Sequence, residues 1–149
     1  MTLDIRDHHR THVELERDGS FPPYDVCDDD ASFRVATNVA EQLYGCRVSD
    51  LPLKMLEYIQ SSEAAATNLD ESTFNILSLV PRNGSISEAT CYLNYATFNP
   101  CFELSRKTVI TKLSDIYVPS VDDLDIVDGD FQWLIHITHE RDAYVRLAV

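Results

Sequence analysis

Three groups of side chains in this sequence are able to do chemistry. The first is Asp7, His8, His9 and His12, three imidazoles beside a carboxylate. Neutral imidazole and carboxylate are ordinary ligands of zinc and other transition metals. The spacing is neither that of a zinc finger nor His-Glu-x-x-His, and free chain ends are loosely held. Solvated surface histidines are therefore expected, and neither a metal nor a cofactor.

The second group is His136, His139 and Glu140. A His–Glu pair supports general acid–base chemistry. In a straight strand His136 and Glu140 share one side and His139 takes the other, so the three converge only if the chain turns at Thr138. No Gly-x-Ser-x-Gly, glycine-rich phosphate loop or Cys/His signature accompanies them, and the chain has only 4 glycines. A structural hairpin end is expected here, in a protein that is not an enzyme.

The third group is the acidic run Asp115, Asp122, Asp123, Asp125, Asp128 and Asp130. No lysine or arginine stands between Lys112 and Arg141. The acids and Gly129 do not reproduce the fixed offsets of a calcium loop. A run of this kind either keeps a sheet edge from aggregating or steers a basic protein to a docking surface. Tyr117, Val118 and Leu124, lying among the acids, supply the apolar anchors that charge alone lacks. The expected partner-binding residues are Asp115, Tyr117, Asp122, Asp123, Leu124, Asp125, Asp128 and Asp130.

Bulk composition points the same way. The chain has 149 residues, 25 acidic against 12 basic side chains and a net charge of -13. That balance discourages binding to nucleic acid or to an anionic membrane and suits a cationic partner. A hydrophobic fraction of 44% in a chain of this length is enough for one globular domain. No apolar run approaches a membrane span, and the first residues lack a signal peptide's basic start and apolar stretch, so a cytoplasmic location is expected. Cys27, Cys46, Cys91 and Cys101 show no Cys-x-x-Cys spacing and are expected as free, mostly buried thiols.

The elements that must position these groups read as one α+β domain over 1–149, with 1–30 a loosely ordered N-terminal segment. Thr11 to Glu16 alternates as a short strand. Phe33, Ala36, Val39, Ala40, Leu43 and Tyr44 recur at helical steps after Asp30 or Ser32 as cap, with Gly45 at the end. A second helix starts at Ser49 or Asp50, with Pro52 in its first turn and Leu53, Leu56, Tyr58 and Ile59 along it. Phe74–Val80 and residues 86–98 read as strands joined through the hairpin pair Asn83-Gly84. Tyr92, Ala96 and Phe98 fall on one side of the second strand, with Cys91, Leu93 and Tyr95 on the other, which implies cover on both faces. Ser105 caps a short helix, although β-branched residues leave a strand open there. Ile116-Tyr117-Val118 reads as a strand. Phe131, Trp133, Ile135 and Ile137 alternate on one face, opposite Gln132, His136 and Thr138, before a hairpin returns through Ala143, Val145 and Leu147. Two N-terminal helices packed on an antiparallel sheet, closed by a C-terminal β-hairpin, is the expected fold.

The segment Tyr117-Val118-Pro119-Ser120, Asp122-Asp123-Leu124, Trp133-Leu134-Ile135-His136-Ile137 and His139-Glu140 resembles the C-terminal pattern of small cytosolic bacterial toxin-immunity proteins. The resemblance covers the last quarter of the chain. It implies stoichiometric inhibition of a basic toxin, often a nuclease, through an acidic surface. Two alternatives use the same residues: a nucleic-acid-mimicking inhibitor of a DNA-binding enzyme, and a small His/Glu-dependent metalloenzyme.

Overall fold

A computed structural model of the chain describes residues 24–61, 67–68, 90–95, 98, 101–117 and 123–148. The histidine group at His8, His9 and His12, the strand at Thr11–Glu16, the strand at Phe74–Val80 and the Asn83-Gly84 turn lie outside them, as do Val118 and Asp122. The described residues form an α+β structure around one antiparallel sheet. Its strands are β1 (Asp25–Val26), β2 (Thr67–Asn68), β3 (Thr90–Asn94), β4 (Phe102–Ser105), β5 (Leu124–Asp128), β6 (Trp133–Ile137) and β7 (Asp142–Leu147). Their spatial order is β1-β4-β3-β5-β6-β7-β2.

The sheet is open. The β6–β7 hairpin does not close it, because β2 pairs outside β7 and β1 ends the other edge. Strand alternation then divides the core in two. Leu93, Leu124, Ile126, Trp133, Ile135 and Ile137 gather on one face with Val109, Leu113, Ile116 and Tyr117. Val127 and Leu134 project to the other face, where they meet Val35, Val39, Leu43, Leu51 and Met55. Successive side chains of a strand point to opposite faces, so a central strand with apolar groups on both sides must be covered on both sides. β3 shows this directly, with Cys91 and Leu93 in one cluster and Tyr92 packed against the other.

The covering helices are α1 (Asp29–Asn38), α2 (Leu51–Gln60), α3 (Arg106–Thr111) and α4 (Leu113–Ile116). Asp28, rather than Asp30 or Ser32, caps α1: its carboxylate accepts from the N–H of Ala31 at 2.7 Å. The helix runs on into a π-helical turn, Val39–Leu43, and Gly45 follows at φ 59. Phe33 is exposed rather than part of the buried stripe. In α2 the buried residues are Leu51 and Met55, whereas Leu53 and Leu56 are 58% and 50% exposed. A 3-10 turn at Val48–Asp50 leads into the helix, and the apolar spacing alone does not disclose which face turns inward. Ser105 caps α3 by accepting from the N–H of Thr108 at 3.1 Å.

Two further expectations are corrected. Ile116 ends α4 instead of opening a strand, and Tyr117 leaves the helix fully buried with its hydroxyl donating to the carbonyl of Thr138. Phe131 does not share the strand face of Trp133. It lies in the β5–β6 turn at φ 56 and stacks on Tyr92, ring centroids 6.0 Å apart. No helix among the described residues is long and apolar enough to cross a membrane.

Candidate functional site

The fold takes the acidic run apart. In β5, Leu124, Ile126 and Asp128 face one way and Asp125 and Val127 the other, as the period of two dictates. Asp128 is 2% exposed and accepts from the guanidinium of Arg106 at 2.7 Å, with that guanidinium 5.5 Å from the centre of the Trp133 ring. Leu124 and Tyr117 are wholly inside the core. Of the expected partner-binding residues, Tyr117, Leu124, Asp125 and Asp128 are therefore buried: Tyr117, Leu124 and Asp128 serve the interior, and Asp125 faces the other side of the sheet. Asp123 and Asp130 are exposed at opposite ends of β5, and Asp115 lies in α4.

Asp125 points instead into a polar row crossing the sheet. Register pairs Asn94 of β3 with Asp125 of β5, Asp125 with His136 of β6, and His136 with Tyr144 of β7. Directly opposed residues on one face are close enough to touch. Asn94 Nδ2 donates to one carboxylate oxygen of Asp125 at 2.8 Å, and His136 Nδ1 meets the other at 2.6 Å. A carboxylate only accepts, so Nδ1 carries the proton. His136 Nε2 has no hydrogen-bond partner among the described residues. Burial disfavours the imidazolium, but the hydrogen bond and charge of Asp125, with Asp123 beyond, outweigh it and raise the pKa above its ordinary value.

This row ends in a cleft of about 480 Å³. Pro52, Met55, Leu56 and Ile59 form its helical wall, and Phe98, Asp123, Asp125, His136 and Thr138 complete it. The α2 residues stand at three- and four-residue steps, which align them on one side of the helix. Phe98 closes the apolar side at φ 60, a conformation that costs a non-glycine residue of the order of 1–3 kcal/mol. Asn94 holds it there, its side-chain oxygen accepting from the Phe98 N–H at 2.7 Å. One asparagine thus fixes both the carboxylate of the polar end and the ring of the apolar end. Among the described residues no lysine or arginine lines the cleft.

His139 and Glu140 sit outside it on the β6–β7 turn. Asp123 Oδ1 accepts from the backbone N–H of His139 at 2.9 Å and lies 3.1 Å from its Nδ1. Glu140 is exposed, 4.0 Å from His139 Nε2. His136 is thus joined to Asp125 and not to Glu140. Among the described residues no cluster of three or more His, Cys, Asp or Glu side chains is placed to hold a metal ion.

Sequence reasoning missed Asn94, Met55, Leu56, Ile59 and Phe98 as one site. Leu56 and Ile59 carried a signal, an apolar stripe on a helix, but it reads equally as core. The link from Asp125 to His136 needs the strand register, which no local spacing contains. Comparison with protein-family models, with curated proteins and with solved structures returns no match.

Proposed function

We propose that the protein is a non-enzymatic acidic binding protein whose partner is a basic protein, and that the cleft under α2 is where the partner anchors. The observation that carries this reading is the composition of the cleft: an apolar wall of Met55, Leu56, Ile59 and Phe98 beside Asp123 and Asp125, with His136, already paired to Asp125, the one basic group among the described lining residues. Leu53 and Leu56 extend the apolar wall to the surface. Contact patches in which an apolar anchor is set among polar groups are where binding energy concentrates. The net charge of -13 supplies the long-range attraction that brings a basic partner in. An immunity-type inhibitor of a basic toxin is the specific form of this reading that the C-terminal resemblance implies.

The nucleic-acid-mimic alternative has less support, because it needs carboxylates in a row and Asp125 and Asp128 project to opposite faces of the sheet. General acid–base catalysis is the second reading, favoured by the Asp125–His136 pair, in which a carboxylate orients an imidazole. Among the described residues no serine or cysteine lines the cleft to act as nucleophile beside it. Hydrolysis of an ester by the purified protein, lost in His136→Gln, would favour that reading instead.

The binding reading is tested by capture from the native source followed by calorimetry with the captured protein. A basic partner is expected, with affinity that falls as salt is raised and drops about tenfold in Leu56→Gln. Leu56 is half exposed, so this variant keeps its fold. An affinity indifferent to both salt and Leu56→Gln would contradict the assignment.

A further inference from the structure

We infer that the cleft is built for a lysine or arginine side chain presented next to an apolar residue of the partner, its stem along Met55, Leu56, Ile59 and Phe98 and its cationic head at Asp123 and the Asn94–Asp125–His136 row. The inference rests on the binding reading of this cleft and adds the chemistry of what enters it.

Three features select that occupant. First, the cleft is amphipathic along its length: α2 and Phe98 make one wall apolar, whereas Asp123, Asp125, His136 and Thr138 make the other polar. Long basic side chains have the same division, an aliphatic stem that packs on apolar surface and a charged head that seeks acceptors. A short polar group would leave the apolar wall wet, and a purely apolar group would desolvate the Asp123 carboxylate with no cation to offset the cost. Second, the described lining has two aspartates against one histidine and no lysine or arginine, and His136 is already taken up by Asp125, so Asp123 is the carboxylate left to a cation. A carboxylate ligand would meet like charge at Asp123. Third, the polar end is fixed before anything binds. Asp125 is held by Asn94 at 2.8 Å and His136 at 2.6 Å, so its position costs no ordering on association. Asp123 is tied to the N–H of His139 at 2.9 Å, leaving its second oxygen for a cationic head. At about 480 Å³ the cleft exceeds one basic side chain, leaving room for an apolar neighbour.

A set of three probes of matched shape tests this by calorimetry on the intact protein: phenylbutylammonium, phenylbutanol and phenylbutanoate. The ammonium is expected to bind most tightly, the alcohol about fivefold or more weakly, and the carboxylate weakest of the three. Asp123→Asn keeps the acceptor for His139 while removing the charge, and is expected to weaken the ammonium up to about fivefold while leaving the alcohol unchanged. Leu56→Trp, at a half-exposed position on the wall, is expected to weaken the ammonium and the alcohol together. The inference is overturned if the alcohol or the carboxylate matches the ammonium, if the ammonium ignores both variants, or if no probe binds. Its failure differs from that of the binding reading. A partner that depends on Leu56 while the probes show no preference for the ammonium removes only the inference. Ammonium selectivity with a partner indifferent to Leu56→Gln removes only the partner reading.

Discussion

At the scale of residues, two aspartates that look alike in the sequence have opposite fates. Asp125 and Asp128 stand three positions apart, which on a strand means opposite faces. That alternation follows only once 124–128 is a strand, which the acidic run does not disclose. Nor are their partners legible: Asn94 and His136 reach Asp125 through strand register, and Arg106 reaches Asp128 from the start of α3. The Arg106–Asp128 pair is almost wholly buried, so removal of one member strands the other charge in the interior. Arg106→Met is expected to cost about 3–5 kcal/mol in urea denaturation. The double variant Arg106→Met with Asp128→Leu is expected to recover much of that loss, because no unpaired charge is left.

His136 gives the molecule a pH dependence of definite sign. Its folded pKa lies above the unfolded value, so the stability contributed by the Asp125 pair is fully present below the unfolded pKa of about 6.5. It is lost as pH rises through the folded pKa. Titration of the imidazole carbon-bound protons by NMR is expected to show His136 deprotonating at higher pH than an ordinary histidine. Subtracting the stability–pH curve of His136→Gln from that of the native protein isolates this contribution from the general repulsion among carboxylates. A difference that grows with rising pH would contradict the assignment.

At the scale of elements, alternation in β6 and β7 and the Ser105 cap were readable because they are local. What escaped were rotations and joins. The face α2 turns inward is decided by tertiary packing, and Leu53 and Leu56 stand outside although their spacing reads as core. The β5–β6 join is likewise tertiary. Gly129 donates its N–H to the carbonyl of Thr90 at 2.9 Å, and a Cβ there would fall 2.5 Å from that oxygen. The obstacle is strand backbone and cannot swing aside. Gly129→Ala is expected to lose about 1–3 kcal/mol by forcing β3 and the turn apart. Gly45→Ala meets no atom within 4 Å and is expected to cost about 1 kcal/mol, for its positive φ alone. Equal losses in urea denaturation at the two sites would mean that close approach is not what demands glycine at 129.

At the scale of the whole molecule, a sheet covered on both faces leaves little room for function except where a layer gaps. The cleft lies between α2 and the polar row of β5 and β6. The acidity is plain in the sequence, but the place of each carboxylate is not: Asp128 goes to the core, Asp125 to the cleft, and Asp123 and Asp130 are exposed. On the proposed reading, the net charge of -13 would draw a basic partner in and the cleft would decide where it is held. Met55 makes this directly observable. It lines the cleft and is one of 2 methionines in the chain, the other being Met1. In a sample labelled at the methionine methyl carbons, titration with the basic partner is expected to shift the Met55 resonance to saturation while Met1 stays in place. Saturation of binding with Met55 unmoved would contradict the account.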